Sequence, residues 1–264
     1  MRRSSGHLVY EGFLRRINVL GVLIHDCDEG AATSAMEAFL AEQPAHLHHV
    51  CTVNPEFVVE ARHNPAFRAL LNSAELATPD GVGILAAGRL LGTPFKERAT
   101  GVALVSRLSA LSARGGHTLF LLGAAPGVAE EAAHAIKRQY PGAEIAGTYA
   151  GSPREEDWPE IDRRLSAALP DVLLVAYGAP QQDLWIREHR HELPPSIKVA
   201  MGVGGVFDYL SGRAPLAPYI VRRAGMEWLY RLVKQPWRWR RILRVFVFGA
   251  LVIREVVQKK VRLA

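Results

Sequence analysis

Five short segments carry residue types that bind anions or move protons, and each follows an apolar run. They are TVNPE at 52–56, TPDGVG at 78–83, GAAPG at 123–127, GAPQQ at 178–182 and GVGGVFD at 202–208. Asp80 lies between Pro79 and Gly81 at the start of a Gly-containing helical stretch. A carboxylate there fits a helix N-cap and equally a general base exposed at a strand end. Thr52 and Asn54 offer neutral hydrogen bonds, though Asn54 before Pro55 also fits a turn. Arg98, in KERATG, is a solvated loop charge on its own and a phosphate clamp beside an anionic ligand. Gln181 and Gln182 open a helix, where their amides either read polar groups on a sugar or base or face solvent. Gly81, Gly123 and Gly178 let the backbone approach a ligand and leave N–H groups bare at helix starts, which suits phosphate. Each loop alone reads as an ordinary tight turn; five at one edge point to a ligand site.

The elements that must position these loops alternate. Strand candidates fall at 18–24, 48–53, 75–78, 118–122, 144–149, 172–176 and 198–203. Helix candidates fall at 29–43, 65–73, 82–91, 102–114, 128–139, 155–168 and 183–189. Such alternation implies parallel crossovers with helices on both faces of an α/β sheet. The runs HTLFLLG and DVLLVAYG are apolar throughout, as strands covered on both faces are. Ligands in such sheets bind outside the carboxyl ends of the strands, which is where the five loops lie. The chain shows no internal repeat and no low-complexity segment.

Several chemistries are excluded or weakly supported. There is no GxxxxGK[ST] loop for a nucleoside triphosphatase, and no GxGxxG after the first strand for a dinucleotide dehydrogenase. Two cysteines, Cys27 and Cys51, rule out a disulfide scaffold and a Cys-rich zinc module. Asp26-Cys-Asp28 has the form of a metal-holding Asp-x-Asp pair, but Asp28 is placed as a natural N-cap. His46, His48 and His49 cluster without a nearby acidic ligand and read as a solvated loop and strand start. No metal site and no cofactor are expected.

Charge is uneven along the 264 residues. From Gly212 onward there are thirteen Lys/Arg and two Glu, a net +11, whereas the rest holds nineteen basic and twenty-four acidic groups, a net −5. This asymmetry divides the chain into a body, 1–211, and a basic amphipathic appendage, 212–264, that meets an anionic partner. Trp237 and Trp239 alternate with arginines ahead of the apolar run 245–253. Apolar and cationic residues at helical spacing suit an interfacial helix on anionic lipid. The rival readings are a core helix with a solvated basic face, and nucleic-acid binding, which the high aromatic and apolar content disfavours. No apolar h-region follows Met1-Arg-Arg, and no stretch reaches the roughly 20 apolar residues of a spanning helix. A protein in the cytosol or held peripherally on the cytoplasmic face of a membrane is expected.

TVNPEFVVEAR, ATPDGVGI, ERATG, LFLLGAAPGVAEEAA, YPGAEIAGTYAG, DVLLVAYGAPQQDLWI, VGGVFDYLSG and GMEWLYRL occur in that order. Together they resemble the signature blocks of the WecG/TagA/CpsF glycosyltransferases, family 26, over roughly residues 18–241. The resemblance implies a Rossmann-like fold with a helical C-terminal appendage. It also implies inverting, metal-independent transfer from a UDP-sugar to an undecaprenyl-diphosphate-linked saccharide, in cell-surface polysaccharide synthesis. On the matching positions it makes Asp80 the catalytic base and Thr52 its neighbouring hydroxyl. It puts Asn54, Arg98 and Gln181 on donor or acceptor contacts and Asp208 where the donor's nucleoside is held. The family's Pro-Lys-Gln-Glu reads Pro-Gln-Gln-Asp here, at 180–183, so any role of that lysine is lost. An appendage arginine of the family aligns with Leu216, for which Arg213 is the nearest substitute.

The physics of that reaction fits the residues. One base deprotonates the acceptor hydroxyl. Without a metal, arginines and helix N-termini must meet the charge growing on the leaving diphosphate; Arg222, Arg223 and Arg231 are the appendage's candidates. A reading from another class, a non-catalytic nucleotide-sugar-binding or scaffold protein, is disfavoured by the retention of Asp80, Thr52 and Arg98.

Overall fold

The computed structural model describes residues 14–43, 45–215, 218, 221, 230 and 239–263. Six strands form one wholly parallel sheet: β3 (His48–Val53), β4 (Leu76–Pro79), β5 (Thr118–Gly123), β6 (Glu144–Tyr149), β7 (Val172–Ala176) and β8 (Val199–Gly202). Their order across the sheet is β4-β3-β8-β7-β5-β6. Alternate side chains enter the helix layers on the sheet's two faces, in three clusters. Val50, Leu119, Leu121, Leu174 and Met201 pack under α1 (Glu29–Ala41), α5 (Gly101–Gly115) and α6 (Val128–Gln139). Cys51, Val53 and Ala77 face α2 (Pro55–His63), α3 (Pro65–Ser73) and α4 (Val82–Leu90). Phe120, Leu122, Leu173 and Ala200 face α7 (Trp158–Ala168) and α8 (Gln181–Glu188). Apolar side chains on both faces of each strand are what a sheet covered on both sides requires.

The segment expected as one strand at 18–24 is instead a hairpin outside this sheet. β1 (Arg16–Val19) and β2 (Val22–His25) pair antiparallel. The break falls at Leu20 and Gly21, with φ of 54° and 92°. A two-residue turn with both φ positive matches the twist of paired strands, so the chain reverses there. α2 was not among the expected helices. It starts because the Asn54 side chain accepts the Phe57 N–H at 3.1 Å and Pro55 supplies a preset φ at the first position.

A short helix, α9 (Val206–Leu210), follows β8, and a long one, α10 (Trp239–Leu263), closes the described chain. α10 packs on α2 and α4, with Phe248 and Val252 buried in their core. Arg244 also pairs with Glu60 of α2 at 3.5 Å. Among the described residues no helix is long and apolar enough to cross a membrane. Arg222, Arg223, Arg231 and Trp237 lie outside the described residues.

His25 ties the hairpin to the sheet. Its Nδ1 accepts the Ala77 N–H at 2.9 Å. Burial, reinforced by the Arg16 guanidinium, pulls its pKa from 6.5 down to about 4. The folded ring thus stays neutral to about pH 4, while the unfolded chain takes up a proton below 6.5. The contribution of His25 is complete above that value and is lost as pH falls toward 4. Urea midpoints should therefore fall between pH 6.5 and 4, and His25→Gln should lessen the fall; equal slopes for both proteins contradict this account.

Candidate active site

Because all six strands are parallel, their carboxyl ends open on one edge. The strand order sets the loops there side by side: Asp80 after β4, Asn54 after β3, Gly204–Asp208 after β8, Gly178 after β7 and Gly123 at the end of β5. Backbone bonds lock the first group together. Asp80 N–H donates to Val53 O at 2.8 Å, which fixes Asp80 beside the end of β3. Ala99 N–H donates to Pro79 O at 2.9 Å, and Thr78 Oγ1 donates to Ala99 O at 2.9 Å, so the Arg98 loop lies on the end of β4. Gly101, the first residue of α5, abuts Thr52: a Cβ there would sit 3.5 Å from Thr52 Oγ1. Asp80, Thr52 and the Arg98 loop therefore share one end of the edge.

The helix starts fall into two classes. Asp28, Asn54, Asn64 and Thr100 cap α1, α2, α3 and α5 with their side chains. α4, α6 and α8 begin at Gly81, Gly127 and Pro180 with no side-chain cap. All three follow carboxyl ends of strands. Their positive dipole ends lie at that edge, where the Val128 N–H of α6 and the Gln182 N–H of α8 already donate to Ala125 O and Gly178 O at 3.0 and 2.9 Å.

The family model of the WecG/TagA/CpsF glycosyl transferases matches residues 17–262. The chain belongs to that family. It is similar to proteins named N-acetylglucosaminyldiphosphoundecaprenol N-acetyl-beta-D-mannosaminyltransferase. One, from Bacillus spizizenii, is 37% identical over 205 residues, 78% of each chain. Another, from Bacillus subtilis strain 168, is 32% identical over 211 residues, 80% of this chain and 81% of the relative. A third, from Staphylococcus aureus strain MRSA252, is 30% identical over 230 residues, 87% and 88% of the two chains.

Within this glycosyltransferase, several of the expected site residues have structural duties. Asn54 caps α2 through its side-chain oxygen. Gln182 does not face solvent: it is buried, and its Oε1 accepts the Gly204 N–H at 2.8 Å, bridging the β7 and β8 loops. Arg213 is engaged by Glu131 of α6 through two bonds of 2.8 and 2.7 Å, which occupies the guanidinium fork suggested for the missing appendage arginine. Asp208 is half-buried on α9, and its carbonyl accepts from Ala214 N–H at 2.9 Å. Asp28 caps α1, and Asp26 accepts the Lys96 N–H at 2.8 Å, so both carboxylates serve the backbone. His48 pairs with Glu42 and stacks on Phe39.

His49 departs from the expected solvated start. It is buried with Cys51 and Asp183 on the flank of the sheet under α8. Burial and the Asp183 carboxylate push the Cys51 thiol well above its usual range. Sequence reading missed this group because Asp183 is 132 residues from Cys51. The available signal was His49 and Cys51 two apart, hence on one face of a strand.

Gly123 and Gly178 separate packing from backbone strain, since both have positive φ, 102° and 78°. A Cβ on Gly123 would meet the Ala176 backbone at 2.9–3.0 Å, whereas one on Gly178 would meet nothing within 4 Å. Gly123→Ala should therefore be less stable than Gly178→Ala by about 1–3 kcal/mol in denaturant unfolding, because it forces β5 from β7. Equal losses would mean that strain alone is felt at both sites.

Proposed function

We propose that this chain transfers a sugar from a UDP-sugar to an undecaprenyl-diphosphate-linked saccharide at the cytoplasmic face of the membrane. UDP-N-acetylmannosamine is the first donor to test, because the relatives' names agree on that sugar. The observation that carries the reading is the convergence of Asp80, Thr52 and the Arg98 loop at one end of the parallel edge in a member of this family. Asp80 takes the proton of the acceptor hydroxyl as its oxygen attacks the anomeric carbon. The bond from that carbon to UDP breaks, its electron pair leaves on the diphosphate, and the anomeric centre inverts. Thr52 orients the reacting groups by hydrogen bonding. Arg98 and the uncapped starts of α4, α6 and α8 meet the growing diphosphate charge. Arg222, Arg223 and Arg231 add basic side chains from the appendage. Asp208 and Gln181 contact the donor, with Gly81, Gly123 and Gly178 giving it close backbone approach.

Asp80→Asn keeps size and hydrogen-bonding shape but cannot take the proton. UDP release with a short-chain lipid-diphosphate acceptor should fall by roughly 10²-fold or more, with donor binding retained. Near-normal kcat in the folded variant rejects Asp80 as the base.

α10 supports the membrane side of the reading. Opposite Phe248 and Val252, its outer face exposes Leu243, Val247, Ile253, Val257 and Val261, each about half exposed or more. Arg254 and Lys260 border that stripe. An apolar stripe bordered by cations fits the boundary of an anionic bilayer. Ile253→Asp with Val257→Asp should lower co-sedimentation with phosphatidylglycerol vesicles several-fold while leaving the unfolding midpoint nearly unchanged. Undiminished pelleting removes this face from the membrane contact.

A further inference from the structure

We propose that His49, Cys51 and Asp183 form a buried binding site for one divalent transition-metal ion of the zinc class, separate from the site of sugar transfer. His49 and Cys51 project from β3, and Asp183 reaches them from the first turn of α8. The three residues are 3%, 0% and 0% exposed. His49 Nε2 is 3.3 Å from Asp183 Oδ1, and Cys51 Sγ is 3.6 Å from the same oxygen. The ligand atoms all lie within 4.8 Å of one another. Around a tetrahedral zinc ion with ordinary bond lengths, a nitrogen and an oxygen ligand stand about 3.3 Å apart, and a sulfur and an oxygen about 3.5 Å. The two separations from Asp183 Oδ1, which are hydrogen bonds as the site stands, match such edges.

Three further features make this a built site. Asp183 Oδ2 is buried and has no hydrogen-bond partner, a costly condition that a cation relieves. Gly202 makes room for the carboxylate: a Cβ there would fall 2.7 Å from Asp183 Oδ1. The donor set also balances charge, since a thiolate, a carboxylate and a neutral imidazole together neutralise a divalent ion in a dry environment. A cavity of about 320 Å³, lined by His49, Ser73, Glu75, Arg187, Arg190 and His191, connects His49 with the surface at the amino edge of the sheet. The ion therefore enters from the edge opposite Asp80. Bound, it cross-links β3 to the start of α8, the turn that carries Gln181 and Gln182. Binding forms the metal–sulfur bond and sends the Cys51 thiol proton to solvent. The expectation of a chain without metal is revised for this flank, and the transfer chemistry itself uses no ion.

The test is Co²⁺ titration of the full-length, untagged protein after dialysis against chelator. One equivalent should give a thiolate-to-cobalt charge-transfer absorption with tetrahedral ligand-field bands, and added Zn²⁺ should abolish both. Cys51→Val fills the thiol's volume and should remove the charge-transfer band. Asp183→Asn should weaken binding, and Cys27→Ala should leave the spectrum intact. Absence of a saturable one-to-one signal in the unmutated protein overturns the proposal whatever the variants do. A signal that survives Cys51→Val or disappears with Cys27→Ala overturns it equally.

Discussion

In a parallel sheet every carboxyl end opens on one edge, and here six of them do. The backbone carbonyls and amides at those ends need partners, and the loops and helix starts that follow supply them. Asp80 N–H finds Val53 O, Ala99 N–H finds Pro79 O, and Val203 N–H finds Val175 O. Satisfying the strand ends is thus the same act as assembling this loop edge. Loops distant in sequence become neighbours because each must complete the end of its own strand and that of the strand beside it.

Helix starts along the chain differ in how they are closed. Asp, Asn or Thr side chains close α1, α2, α3 and α5, each accepting one N–H of the first turn. The helices preceded by Gly81, Gly127 and Pro180 have no side-chain cap. A helix dipole puts positive potential at such a start without a bulky side chain in the way, which is the property that the proposed diphosphate contact draws on.

The parallel architecture was legible because its strands are apolar on both faces and separated by helical patterns, and the five strand-end loops were legible from their Gly, Pro and polar content. The hairpin was not, because Leu20 adopts a left-handed conformation that its type disfavours, imposed by the pairing on either side. The helix after Asn54 was hidden because NPE reads equally as a turn, and only the accepted Phe57 N–H settles the choice. Gln182 looked available from its neighbours in sequence; its burial depends on Gly204, which arrives 22 residues later. Long-range packing, rather than local propensity, separates the residues that serve the fold from those that face a ligand.

Gly202 has a consequence for how such a chain can change over time. The absent side chain on this interior strand is the space into which Gln182 and Asp183 project, with Gln182 Nε2 2.5 Å from where a Cβ would be. Any larger residue at 202 collides with both, while smaller residues at 182 and 183 leave a void beside a bare backbone. Positions 182, 183 and 202 thus form one heritable unit. A change at one of them calls for a compensating change in the volume of the others, even though the segments that hold them are separate in the gene.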